Sequence, residues 1–182
     1  LKRAAIRPFW DWVASWARCV SKPSDLGFSD EGYELPPLEI VKHLVRVDRS
    51  DAAGEEKNGQ FRMFRLPDNS ATSIHKEKRL TIGGRADKVA EIVAGLRSDQ
   101  PVCIWVDTDY EAEAIRAAVP EAVEVSGKMQ ADVKEERLNA FSTGEVRILL
   151  TKPSIAGYGL NWQHCNEAVF TGLSFSYEAF YQ

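Results

Sequence analysis

Cysteine is scarce in this chain of 182 residues: there are only Cys19, Cys103 and Cys165. An odd number at wide spacing excludes a disulfide framework and suits reduced thiols in a cytoplasmic setting. No CxxC pair is present, so zinc is excluded and no metal site is expected. No run of about 18 apolar residues occurs, which excludes a transmembrane helix. Leu1-Lys2-Arg3-Ala4-Ala5-Ile6-Arg7-Pro8 is basic, but no apolar segment follows, so it is not a signal peptide. No membrane partner is expected. Basic excess is also missing. Lys and Arg number 23 against 27 Asp and Glu, a net charge of −4 that excludes a histone-like polycation. A local basic strip could still meet nucleic acid. His43, His75 and His164 are dispersed and form no Ser-His-Asp motif. His164 beside Cys165 reads either as structural or as a catalytic pair. The phosphate-loop pattern G-x-x-x-x-G-K-[ST] is absent, because Met129 follows Gly127-Lys128 and the earlier glycine is missing. Gly157-x-Gly159 lacks the third glycine of a dinucleotide loop.

What is there is an ordinary globular balance, 44% apolar and 27% charged. The length suits one domain, or one domain with an appendage. Arg7 to Val20 is predicted helical, with Pro8 at its start and Phe9, Val13, Trp16 and Val20 on one stripe. Trp10 and Trp12 widen the stripe, which could pack on a core or bind a partner. Lys22 to Tyr33 and Pro36-Pro37 carry turn and extended chemistry. Asp30-Glu31 superficially resembles an acidic metal motif of ATPases, but it lies in a loop. Ile40 to Val47 alternates and is predicted to be a strand. Residues 49–82 read as a variable, partly helical insertion. Lys76, Lys78, Arg79, Arg85 and Lys88 could form a solvated helix face or a phosphate-contacting strip.

From Arg85 the pattern becomes regular. Helices are predicted at Arg85–Arg97, Asp109–Val119 and Gln130–Ser142. Strands are predicted at Pro101–Val106, Ala122–Val125, Val146–Leu150 and Ala168–Phe170. The run Pro-Val-Cys-Ile-Trp-Val suits a strand buried on both faces. This alternation implies an α/β fold with a mostly parallel sheet and helices on both faces. Ligands of such sheets lie at the carboxyl ends of strands. Three such ends are small and polar: Asp107-Thr108-Asp109, Ser126-Gly127-Lys128, and Thr151-Lys152-Pro153-Ser154 leading to Gly157-Tyr158-Gly159-Leu160-Asn161. Ser-Gly after a strand can offer a hydroxyl and backbone N–H groups to a phosphate, or form an ordinary turn.

The order of these pieces resembles the second RecA-like lobe of superfamily 2 helicases and translocases. The resemblance is to the Swi/Snf-like branch, particularly helicase-like proteins of phages and prophages. Val102–Ile115 looks like motif IV, and Val125–Phe141 looks like the Ser-Gly segment after it. Ile148–Asn161 looks like motif V, and Tyr177–Gln182 looks like the entrance to motif VI. Residues 1–38 resemble the linker from the first lobe, a Trp-rich helix and an extended segment. Residues 39–182 would be the three-layer RecA-like lobe. The family's Thr-Lys-Ala-Gly-Gly-x-Gly-Leu-Asn is lengthened here by inserted residues. The first lobe, with its phosphate loop and acidic Mg²⁺ site, and the motif VI arginines are not in this sequence. The chain starts at Leu1 and stops in what reads as the first turns of a helix, so it is expected to be a piece of a longer protein.

The resemblance implies an ATP-driven nucleic-acid motor, with ATP and Mg²⁺ between two lobes. Gly157, Gly159, Leu160, Asn161 and Gln182 would face the nucleotide. Asp107, Thr108, Ser126, Gly127, Lys128, Thr151 and Lys152 would meet the nucleic-acid backbone. The implied partners are nucleic acid, with DNA the expected kind, and the first RecA-like lobe. Alone, the chain is expected to be inactive, because phosphoryl transfer also needs the missing parts. Two alternatives stand beside this: a self-contained α/β enzyme using Asp107, Asp109 and the Gly157–Asn161 loop, and an interaction module presenting its Trp helix.

Overall fold

The computed structural model describes residues 3–18, 20–34, 36–45, 71–174, 176 and 180. The expectations for Cys19, for residues 46–70 and for Gln182 lie outside the described residues, as does most of the helix expected at Tyr177–Gln182. The chain divides into two units, Leu1–Lys42 and His43–Gln182.

The first unit holds helix α1, Ile6–Trp16, between two short 3-10 turns, Arg3–Ala5 and Pro23–Leu26. The helix stops earlier than Val20. Ala17 is already extended, and the Arg18 guanidinium turns back to donate to the Ala14 and Ala17 carbonyls. A basic side chain thus satisfies carbonyls that the helix end leaves open. Within the first unit, no residue of α1 is buried. Phe9, Trp10, Trp12 and Trp16 instead contact one another edge to face or tilted. Asp30 supports a turn: its carboxylate accepts from the Ser24 N–H at 2.7 Å and pairs with Lys22 at 3.3 Å.

The second unit is an α/β layer structure. Residues 36–45, which span the boundary of the two units, carry no regular secondary structure and pair with no strand among the described residues, so the strand expected at Ile40–Val47 is not formed by its described part, 40–45. Its alternating side chains include Leu44, 94% exposed, so no sheet face receives them. Helices α2, Ala71–Leu80, and α3, Ile82–Gly95, follow. Then come β1, Val102–Trp105; α4, Asp109–Ala118; β2, Val123–Val125; and α5, Ala131–Ser142. Strand β3, Ile148–Thr151, the single-turn α6, Pro153–Ala156, and β4, Glu167–Phe170, complete the unit.

The four strands are all parallel, in the order β2-β3-β1-β4. Val102 pairs with Ile148 on one side and with Glu167 on the other. Alternation along β1 sends side chains to opposite faces. Val102 and Ile104 join Ile148 and Leu150 under α3 and α4, with Val89, Val93 and Ile115. Cys103 joins Leu149 and Val125 under α5, where Phe141 is fully buried; Trp105, Ile155 and Trp162 pack around them. This is the three-layer α/β arrangement expected of a RecA-like domain. No helix among the described residues is long and apolar enough to cross a membrane.

The topology also fixes where a ligand crevice opens. The β1-to-β2 connection, through α4, covers one face. The connections leaving β2 and β3, through α5 and α6, cover the other. Neighbouring strands β1 and β3 therefore send their connections to opposite faces. Beyond their carboxyl ends lies a topological switch point, the place where open α/β sheets bind ligands.

Candidate functional site

The loops after β1, β2 and β3 meet at this switch point. Asp109 begins α4, with Thr108 as the preceding cap residue. Its carboxylate takes one ammonium on each oxygen: Lys128 from the β2–α5 loop at 2.8 Å and Lys152 from the end of β3 at 2.6 Å. Hydrogen bonds from Lys128 and Lys152, with their charges, draw the Asp109 carboxyl down to about 2. Asp109 in turn pushes the Lys128 ammonium up. An open cleft of about 430 Å³ beside them is lined by Ser126, Gly127 and Ser154 as well. The Ser126 and Ser154 hydroxyls bond to no other described residue.

Thr151 sits differently from the others. It is buried, and its hydroxyl donates to the Val125 carbonyl at 2.9 Å. That bond ties the ends of β2 and β3. Thr151 thus holds the strand end that carries Lys152. Asp107 is paired with Lys78 at 2.6 Å, and the same ammonium donates to the Leu173 carbonyl at 2.7 Å.

A second polar cluster lies beneath this edge. Glu111 is fully buried on α4. Its Oε1 accepts from Arg85 Nη1 at 2.6 Å, and its Oε2 accepts from the N–H groups of Asp107 at 2.9 Å and Thr108 at 3.1 Å. Burial pushes this carboxyl up, but the Arg85 and backbone hydrogen bonds outweigh it and hold the group below the ordinary carboxylate value. Arg85 also donates to the Thr171 carbonyl at 2.6 Å and the Lys78 carbonyl at 2.6 Å. One guanidinium thus joins α2, α3, the start of α4 and the end of β4. Gly172 permits this closeness: a Cβ there would stand 2.5 Å from Glu111 Oε1.

The basic strip divides: Lys76 and Arg79 are exposed, as a solvated face would have them, while Lys78 and Arg85 are partly covered. Lys78 and Arg85 are tied to the sheet edge, Lys88 pairs with Glu91 at 2.7 Å, and the Arg79 guanidinium lies 5.2 Å above the Tyr110 ring. The Lys78, Arg85 and Glu111 contacts were missed by reading the sequence. One signal was available, because Thr108-x-x-Glu111 has capping-box spacing.

Gly157, Gly159, Leu160 and Asn161 form a separate group. They lie after α6, and the cleft at the switch point is not lined by them. Gly159 has φ of +75°, a turn that favours glycine, and Leu160 and Asn161 are exposed. The loop offers backbone groups and one amide, and no cationic side chain. Among the described residues, no group of three His, Cys, Asp or Glu side chains could hold a metal ion. His164 tilts against the Phe141 ring at 5.3 Å, and the Cys165 thiol donates to the Glu167 carbonyl. Burial pushes both the Cys103 and the Cys165 thiol up, away from thiolate reactivity. Comparison with protein-family models and with curated proteins finds no match to this chain.

Proposed function

We propose that this chain acts as the C-terminal RecA-like lobe of an ATP-dependent nucleic-acid helicase or translocase. Its part is to hold the phosphate backbone through Lys128 and Lys152, with the Ser126 hydroxyl and the Gly127 N–H beside them. Thr151 keeps Lys152 in place, and Asp107 and Thr108 shape the neighbouring loop. The observation that carries this reading is the convergence of Lys128 and Lys152, from two different loops, on one point of the switch-point crevice. Contacts of this kind recognise phosphate and carry little sequence information.

The Gly157–Asn161 loop is the part that would face ATP, through backbone groups and the Asn161 amide. Mg²⁺ and the remaining phosphate contacts would come from a first lobe. Bound ATP supplies the free energy of lobe closure, and hydrolysis releases it. The free thiols of Cys103 and Cys165 suit a reducing, cytoplasmic setting.

The test is binding of labelled single-stranded DNA to the 182-residue chain across a salt series. Affinity should be weak and indifferent to sequence. Lys128→Ala with Lys152→Ala should flatten the slope of log K against log salt by about one to two units. An unchanged slope would take both lysines out of the footprint. A second reading, an interaction module, is favoured by Trp10, Trp12 and Trp16, each more than half exposed. It gains if the wild-type chain binds no DNA even at low salt.

A further inference from the structure

We propose that Asp109 is a built-in counter-anion of the phosphate site, which a phosphate oxygen must displace before Lys128 and Lys152 can grip. This rests on the reading of those lysines as phosphate contacts, and it adds what regulates them.

The geometry is that of an occupied anion site. Both Asp109 oxygens are used, one by each lysine, as the two free oxygens of a phosphodiester would be. The three residues come from three separate loops, so the ion pairs follow from the fold and not from sequence proximity. The cleft beside them is open and offers the Ser126 and Ser154 hydroxyls and the Gly127 backbone to a larger anion. Asp109 is itself more than half exposed, as is Lys128, whose side chain is 82% exposed. Water and salt therefore screen the pair, and a phosphate can replace it. The surroundings add to the masking. Glu113 lies in the same cleft, while Glu124 is taken up by Arg116 at 3.0 Å.

The expected consequence is a phosphate site that is shut by default. Removing the Asp109 charge should tighten binding by about three- to tenfold at low salt, since one screened charge at contact is worth that much. The gain should shrink as salt rises.

The experiment compares wild type, Asp109→Asn, Asp109→Ser, Glu113→Gln and the Lys128→Ala/Lys152→Ala double variant. Each is titrated with labelled oligo(dT) by anisotropy and with inorganic phosphate by NMR shifts. Circular dichroism checks that each variant is folded. The proposal expects tighter oligo(dT) binding by both Asp109 variants and a much smaller gain for Glu113→Gln. A gain with oligo(dT) alone assigns the site to the phosphodiester backbone; a gain with both probes assigns it to phosphate in general. Equal gains at Asp109 and Glu113 would mean bulk charge alone and would overturn the proposal. So would unchanged binding by the Asp109 variants while the lysine variant weakens. If the lysine variant binds as wild type does, the phosphate reading itself fails and takes this proposal with it.

Discussion

Arg85→Ala should cost this fold more than any exposed substitution, and the amount follows from what Glu111 is left with. Glu111 is fully buried, and its Oε1 has Arg85 at 2.6 Å. Its Oε2 keeps only the N–H groups of Asp107 and Thr108. Without the guanidinium, a buried carboxylate loses its paired charge, which typically costs about 3–5 kcal/mol. The Thr171 and Lys78 carbonyls lose a donor as well. Against a domain stability of about 5–15 kcal/mol, the loss is severe. Replacing both residues, Arg85→Leu with Glu111→Leu, should recover part of it, because no charge is then stranded. Recovery stays incomplete because two backbone N–H groups lose their acceptor. Urea denaturation followed by far-UV circular dichroism measures this as a fall in midpoint at unchanged slope. Acid separates the variants further. In the wild type, Glu111 is held below the ordinary value, so its contribution is full above the unfolded value of about 4.3 and drains away as pH falls below it. In Arg85→Ala, burial is opposed by the Asp107 and Thr108 N–H groups without the guanidinium, so the carboxyl rises from its wild-type position and the loss of stability on acidification should shrink. A cost under about 1 kcal/mol, or an acid response equally steep in both proteins, would refute the account of this pair.

Gly172→Ala should destabilise by about 1–3 kcal/mol, because its Cβ would intrude on Glu111 Oε1 and the Arg85 guanidinium; thermal melting tests this, and a neutral result would mean the β4 end can shift aside. Thr151→Val should cost about 0.5–1.5 kcal/mol through the lost bond to the Val125 carbonyl, read as a lower urea midpoint, and DNA affinity should fall no further than that loss of folded protein explains.

The layers of the fold were legible because β1 and β3 are continuous apolar runs. Such runs belong in the middle of a parallel sheet, and β3 is buried at every position. The Ile40–Val47 pattern misled for the opposite reason. Alternation shows that a segment can lie on a sheet, not that it does: the outer edges of β2 and β4 take no further strand among the described residues. The polar site was only half legible. Lys128 and Lys152 could be found from their places after strands. Their shared partner could not, because the contacts join residues 19 and 43 positions apart. Arg85 and Glu111 left a fainter trace. Each occupies the apolar stripe of its helix, Arg85 four before Val89 and Glu111 four before Ile115. Opposite charges on two apolar stripes are what a buried ion pair looks like before the chain is folded.

These pairings bear on how the edge can bind at all. Lys78 has Asp107, Arg85 has Glu111, and Lys128 and Lys152 share Asp109. The cations at the carboxyl edge are thus balanced from within, in a chain whose net charge is −4. A surface so balanced does not draw a polyanion from a distance, since steering needs an uncompensated field. Binding must proceed by exchange at contact, a phosphate taking the place of a carboxylate. Exchange is feasible only where the carboxylate is exposed. Glu111 is buried and structural, and Asp107 and Lys78 are both largely covered, whereas Asp109 and Lys128 stand in water, with Lys152 the covered member of that trio. Exposure therefore separates the pairs that hold the fold from the one that can open. Salt loosens the Asp109 pairs as well as the phosphate contacts, so the two effects oppose each other. The wild-type salt slope should then be shallower than two free lysines would give, and removing the Asp109 charge should bring it toward the full value.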